Sequence, residues 1–255
     1  MSRFSRESWR AELGRRSIEL WSTAHGRAEE HLRAAAPVDD DESAIHDTMR
    51  ALTAEHVPTG AGVAILVRDE CARYTVVDPP VNARRPSDLR FAAASRLEAV
   101  YGDAAIDWIV LADWSATRRF LSCALPAARV RAAWRGLASA GRPEEGTTTE
   151  FVAGWNAHCR RLREPSVWVA HAGRRAVVLA ACAGGSVEQV ASLQVGADVS
   201  VGDTMAEIRR CALRWNLPVP KSVHLLGPGF ANTIDQDAGS MVPVRSPADE
   251  RECRL

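Results

Sequence analysis

The sequence predicts an α/β protein made of two equivalent lobes. Three observations point there. The stretch "WRAELGRRSIEL" at 9–20 returns as "WVAHAGRRAVVL" at 168–179, with Trp, Ala, Gly, Arg, Arg and Leu at matching places. Each copy reads as two short strands around a glycine turn, because glycine supplies the positive φ that a tight turn often needs. After each pair the chain continues through further β-structure, a helix and an apolar strand, the organisation of a mixed α/β lobe.

Residues 8–22 read as the first hairpin, around Gly14-Arg15-Arg16. The stretch "GRAEEHLRAAA" that follows is short and mixed in charge, and reads as a solvated helix or linker. Asp41 or Ser43 then caps a helix through about His56, with Ile45, Met49 and Leu52 on one face. "AGVAILVRDECARYTVVDPP" reads as a second hairpin, strands 61–67 and 72–77 about a turn at Asp69-Glu70, stopped by Pro79-Pro80. Ser87 caps the next helix, whose apolar face is Leu89, Ala93, Leu97 and Val100 and whose end is Gly102. "IDWIVLA" at 106–112 is a continuous apolar run of the kind a fully buried central strand shows. "RFLSCAL" is another strand, and Pro126 opens a helix with Val130, Ala133, Trp134 and Leu137 inward.

The polar stretch "SAGRPEEGTTT" at 139–149 reads as the junction between a first lobe, 1–138, and a second, 150–231. The second lobe runs helix 150–162, then strands 167–172, 175–182 and 187–194. A helix from about 203 follows, with Met205, Ile208, Ala212 and Trp215 at helical spacing, and then a strand at 221–227. Residues 232–255 are polar and poor in bulky side chains, and read as a disordered tail.

Composition narrows the function. The 255 residues carry 32 Lys plus Arg against 32 Asp plus Glu, so no global field steers the chain to nucleic acid or an anionic membrane. The only lysine, Lys221, follows Pro220 with no glycine-rich loop, which argues against P-loop and Schiff-base lysine chemistry. Six cysteines (Cys71, Cys123, Cys159, Cys182, Cys211, Cys253) form no CxxC pair, and the N-terminus lacks an apolar signal core. No run approaches the roughly 20 apolar residues of a spanning helix. The expectation is a reduced, cytoplasmic protein that meets a membrane only through partners. His158 and Cys159 are helix neighbours, about 100° apart, so they cannot pair as base and nucleophile. With no HxxxH and no Cys/His cluster, no metal site is expected. Of the 8 tryptophans, Trp108, Trp134, Trp155, Trp168 and Trp215 fall on core faces, Trp9 and Trp21 flank the first hairpin, and Trp114 ends a strand where a partner groove would be open.

Several stretches resemble the actin-like ATPase superfamily (actin, Hsp70, sugar kinases), a fold of duplicated RNase H-like lobes. "RYTVVDPP" (73–80), "SRLEAVYGDAAIDWIVL" (95–111), "CALPAARVRAAW" (123–134), "FVAGWNAHCRRL" (151–162) and "RRCALRW" (209–215) look more narrowly like the PilM/GspL group of type IV pilus and type II secretion assembly. The resemblance implies two glycine turns whose backbone N–H groups cradle phosphates, acids there that hold Mg²⁺, and a small-residue segment for adenosine. In this chain the first turn is Glu12, Gly14, Arg15, Arg16 and Ser17, and the second is His171, Gly173, Arg174 and Arg175. Gly227 and Gly229 in "HLLGPGFAN" match the adenosine segment. The acid survives only as Glu12, His171 stands where the second acid belongs, and Pro228 removes a backbone donor. The resemblance so altered implies a non-catalytic cytoplasmic scaffold of a pilus or type II secretion-like platform, with a vestigial nucleotide site. No cofactor, or ATP held only weakly, is expected, and the partner is an inner-membrane assembly protein or a secretion ATPase. The alternative is a divergent ATP-binding protein, ATPase or kinase in which Glu12 is the working acid.

Overall fold

The computed structural model describes residues 8–23, 30–39, 41–102, 107–159, 162, 165–195, 201–227 and 241–243. They form two compact units, each discontinuous in sequence. One takes the residues up to Cys71 together with Pro126–Thr149; the other takes Ala72–Leu125 together with the described residues from Glu150 onward.

The first unit opens with β1 (Ser8–Leu13) and β2 (Ser17–Thr23), antiparallel across the Gly14 turn with Glu12 opposite Glu19. β3 (Glu30–Pro37) pairs antiparallel with β2. From Glu30 on, the stretch expected as a helix or linker is therefore an edge strand, while 26–29 lie outside the described residues. Its alanines prefer a helix, but the ladder to β2 satisfies its backbone, and tertiary pairing overrides a weak local preference. α1 (Glu42–His56) starts on Asp41, whose carboxylate accepts the N–H groups of Ser43 at 2.8 Å and Ala44 at 3.0 Å. Such a cap contributes about 1 kcal/mol. The helix buries Ile45, Met49 and Thr53 and leads to β4 (Val63–Val67), parallel to β1.

A single 3₁₀ turn, Asp69–Cys71, then takes the chain out of this sheet. The expected second hairpin does not form, because β5 (Arg73–Val77) pairs antiparallel with a later strand instead of β4. α2 (Pro86–Tyr101) begins on Pro86 rather than on a serine cap. The Asp88 carboxylate accepts the backbone N–H groups of Arg84 and Arg85 at 3.1 and 3.0 Å, which holds its carboxyl below the usual range. Leu89, Ala93 and Leu97 are buried, whereas Val100 from the expected apolar face is exposed. β6 (Trp108–Ala112) and β7 (Phe120–Pro126) complete a three-stranded sheet of order β5-β7-β6. β6 is thus an edge strand, half-buried throughout, and not the buried central strand its composition suggested. Val110 and Ala112 pack on the cluster of Val77, Leu89, Ala93 and Phe120, together with Trp114.

α3 (Ala127–Ser139) returns to the first unit and packs along α1. The stretch 139–149, read as a junction, carries β8 (Glu144–Thr149), which is parallel to β4. Trp134 Nε1 of α3 donates to Thr147 Oγ1 at 2.9 Å. The first sheet has the order β3-β2-β1-β4-β8.

The second unit repeats that plan. α4 (Glu150–His158) stands where a helix was expected over 150–162. β9 (Val167–Ala172), β10 (Ala176–Ala183) and β11 (Ser186–Gln194) run antiparallel in sequence order. α5 (Val201–Arg214) precedes β12 (Val223–Leu226), which lies parallel to both β9 and β13 (Met241–Pro243). The order β11-β10-β9-β12-β13 matches the first sheet strand for strand. The registers agree as well: Trp9 faces Val63, and Trp168 faces Val223. Trp168 stacks on Trp215 with ring centroids 5.4 Å apart, over a core that includes Ile208, Cys211 and Ala212. β13 falls within 232–255, the segment read as a disordered tail; the rest of that segment, Cys253 included, lies outside the described residues.

Cys182 of β10 is buried, and that burial, with Glu188 adding to it, pushes its thiol up to about 12. The thiolate is the reactive form. Maleimide at about pH 8 is therefore expected to leave Cys182 unmodified in the native protein and to modify it once the chain is unfolded. Rapid native labelling, read by peptide mapping, would contradict this placement.

Candidate functional site: two glycine turns

The two turns close in the same way. Gly14 N–H donates to the Ser17 carbonyl at 3.0 Å and Gly173 N–H to the Ala176 carbonyl at 2.9 Å. Arg15-Arg16 and Arg174-Arg175 therefore form two-residue hairpin tips, and all four arginines are exposed. A second bond is also repeated: Val38 N–H donates to the Arg16 carbonyl and Val195 N–H to the Arg175 carbonyl, both at 3.0 Å. Arg15 and Arg16 line an open depression with Pro37, Val38 and Asp39.

Behind the first turn lies a buried ionic cluster. Glu12 and Glu19 are both buried, and Arg68, only 4% exposed, joins them. Arg68 Nη2 donates to Glu12 Oε2 at 3.2 Å and pairs with Glu19 Oε1 at 2.7 Å, while Nη1 donates to Ser17 Oγ at 3.1 Å. Arg10 Nη2 donates to the other Glu12 oxygen at 2.7 Å. Burial alone would push the Arg68 value down; the hydrogen bond and charge of Glu19, then those of Glu12, push it up, and the net direction is upward. The sheet delivers this arginine. Leu13 faces Val67 in the β1–β4 register, and Arg68 N–H donates to the Leu13 carbonyl at 3.0 Å, so the residue after β4 arrives at the turn.

The space left by the missing side chain of Gly14 is filled from within. A Cβ there would lie 2.9 Å from Arg68 Nη1 and 3.3 Å from Glu70 Oε1. Glu70 Oε1 also accepts Arg15 N–H at 2.8 Å. From α3, Arg129 Nη2 donates to the carbonyls of Gly14 at 2.6 Å and Arg15 at 3.3 Å.

At the second turn His171 is buried, edge-on to Phe151 with ring centroids 6.3 Å apart. Two glycines make room for it: a Cβ at Gly154 would lie 3.2 Å from His171 Cδ2, and one at Gly227 would lie 2.9 Å from Nε2. Gly227 also has φ +90° and sits so close to the Ala172 carbonyl that a Cβ would be 2.6 Å from its oxygen. Beside Gly173 is Glu150 Oε2, 2.8 Å from where a Cβ would stand. Gly229 and Pro228 lie outside the described residues.

The structure thus gathers Glu12, Gly14, Arg15 and Ser17 with Arg68, Glu19, Glu70 and Arg129, none of which the sequence had singled out as a site residue. The signal that reveals Arg68 and Glu70 is topological: parallel neighbours bring their carboxyl ends together, where the loops of α/β sheets converge. Elsewhere, His158 Nδ1 is bonded to the Gly154 carbonyl at 2.8 Å. Trp114 is half-buried beside Phe120 with centroids 5.8 Å apart, and Arg90 lies over its ring. Among the described residues no group of three or more His, Cys, Asp or Glu side chains is placed to hold a metal ion. No helix among them is long and apolar enough to cross a membrane.

No family model and no curated protein matches the sequence. Among solved structures the chain is similar to the PilM–PilN type IV pilus biogenesis complex, with a TM-score of 0.63 and 14% identity over 94% of this chain and 89% of that one. It is similar to a protein of unknown function with an actin-like ATPase fold from Bacteroides thetaiotaomicron, with a TM-score of 0.59 and 9% identity over 89% and 86%. The cytoplasmic domain of EpsL, an inner-membrane component of the Vibrio cholerae type II secretion system, gives 0.55 and 14% identity over 94% and 90%. Identities this low speak to the fold. With two sheets of matching strand order, each headed by a glycine-turn hairpin, the chain has the actin-like ATPase fold, in the form shared by PilM and EpsL.

Proposed function

We propose that this chain is a non-catalytic, cytoplasmic scaffold of an assembly platform akin to those of type IV pili and type II secretion, and that it works by binding other proteins. One observation carries the reading. Glu12, the surviving acid of the first turn, has each oxygen bound by a guanidinium, Oε1 by Arg10 and Oε2 by Arg68. A carboxylate so engaged has little left to offer Mg²⁺, whose neutralisation of developing charge is a large share of phosphoryl transfer. The likeness to PilM, seen in complex with PilN, and to EpsL, an inner-membrane component, supports an inner-membrane assembly protein as partner, and a secretion ATPase is the other candidate.

Affinity capture with the tagged chain in its source organism is expected to recover a partner of one of those two kinds. Calorimetric titration with ATP and Mg²⁺ into the millimolar range is expected to give no heat. Micromolar ATP binding would instead favour a divergent ATPase or kinase of the same fold, the reading to which the two retained glycine turns lend support.

A further inference from the structure

We infer that Glu70 and Glu150 are built-in anions, each seating its carboxylate on one of the two glycine turns, so that both turns carry a negative charge belonging to the chain itself. The proposal rests on the reading of the turns as working without nucleotide and explains how they do so.

The turns are alike in backbone but not in what surrounds them. The first is backed by a guanidinium and two glutamates, the second by a histidine packed between glycines. Yet both have a carboxylate oxygen against the glycine: Glu70 Oε1 at 3.3 Å and Glu150 Oε2 at 2.8 Å from the respective Cβ positions. The two glutamates come from unrelated places, one from the 3₁₀ turn after β4 and the other from the first residue of α4. At the first turn the contact is a charge-assisted bond, with Arg15 N–H donating to Glu70 Oε1 at 2.8 Å. A glutamate at the start of a helix is favoured by the helix dipole alone. That preference does not require it to lie within 2.8 Å of the Gly173 Cβ position, where a side chain would displace it.

Backbone N–H groups around a glycine turn are a general anion-binding device. A carboxylate tethered to the same chain competes for it at a high effective concentration, which no free anion at physiological level matches. It also repels a second negative charge arriving beside it. The consequence is a fold that holds its turns closed with no bound phosphate and does not respond to phosphate ligands. Removing the two carboxylates leaves the turns, tipped by the exposed pairs Arg15-Arg16 and Arg174-Arg175, open to polyphosphate.

The experiment is thermal unfolding of the whole chain, wild type and the Glu70→Ala/Glu150→Ala double variant, in millimolar sodium tripolyphosphate against sodium chloride of equal ionic strength. The wild type is expected to melt at the same temperature in both. The variant is expected to melt about 3 °C or more higher in tripolyphosphate, as a site that binds only the folded state requires. If the alanine variant does not fold, Glu70→Gln/Glu150→Gln removes the charge at constant size and is read the same way. A foldable variant that shows no gain over chloride overturns the proposal and leaves the scaffold reading standing. A wild-type shift in tripolyphosphate overturns the nucleotide-free reading as well, and the partner-capture result then judges the scaffold reading separately.

Discussion

Arg68→Met lowers the unfolding free energy by about 3–5 kcal/mol, the loss expected when one partner of a buried ionic cluster is removed. Methionine keeps the apolar bulk, so what disappears is the cation lying between Glu12 and Glu19 at 3.2 and 2.7 Å. The side chains of all three residues are at most 10% exposed, so water cannot take over the role of the guanidinium. An exposed ion pair contributes only about 0–1 kcal/mol, and that gap is what the measurement exploits. Denaturant unfolding of wild type, Arg68→Met, and Arg68→Met combined with Glu12→Gln and Glu19→Gln reads it directly. The triple variant is expected to recover most of the loss, because the buried positions then hold only neutral groups and Arg10, the cation that loses its carboxylate, is 29% exposed and reaches water. A single-variant loss below about 1 kcal/mol would mean the cluster behaves as a surface pair.

Gly136→Ala is expected to destabilise the protein by about 3 kcal/mol, the upper end of the range for overpacking. Helix propensity alone predicts the opposite sign, a gain of about 1 kcal/mol for replacing an interior helical glycine by alanine. Packing decides. The new Cβ would stand 2.7 Å from the His46 carbonyl oxygen and 2.8 Å from the Met49 Cβ, and neither can swing away as the end of a long side chain would. α1 and α3 must therefore separate, which loosens the contacts around Ile45, Met49, Val130 and Leu137, all fully buried. A shift of the urea midpoint to lower concentration at unchanged slope confirms the loss. A shift to higher concentration would show that the helices do not approach this closely.

The duplication was legible because its markers are local. Trp, Gly and the arginine pair recur at fixed spacing, and β1–β2 and β9–β10 are hairpins whose turns lie within the matching stretches. The apolar spacing of α5 was equally plain, since Met205, Ile208, Ala212 and Trp215 all join one core. β3 was hidden because its alanines suit a helix, and only the ladder to β2 makes it a strand. β8 was hidden because "EEGTTT" lacks an apolar signature, as an edge strand can. β6 misled in the other direction: a short apolar run does not say whether a strand is central or at an edge. The site suffered most. Glu12 and its turn were visible, but Arg68 is 56 residues away and Arg129 donates to Gly14 across 115. Pairing between distant strands and helices creates those neighbours, and nothing in the local pattern marks them.

The position of β8 has a consequence for biosynthesis. Val63–Val67 lies between β1 and β8 in the finished sheet, yet β8 is encoded only at Glu144–Thr149, after Ala72–Leu125 of the other unit. A nascent chain emerging from the ribosome therefore carries a strand with one bare flank while more than a fifth of the polypeptide is still to be made before its neighbour appears. Unpaired flanks of that kind are where wrong partners dock and where chaperones bind, so the pace of translation through this interval bears on the yield of correctly assembled protein.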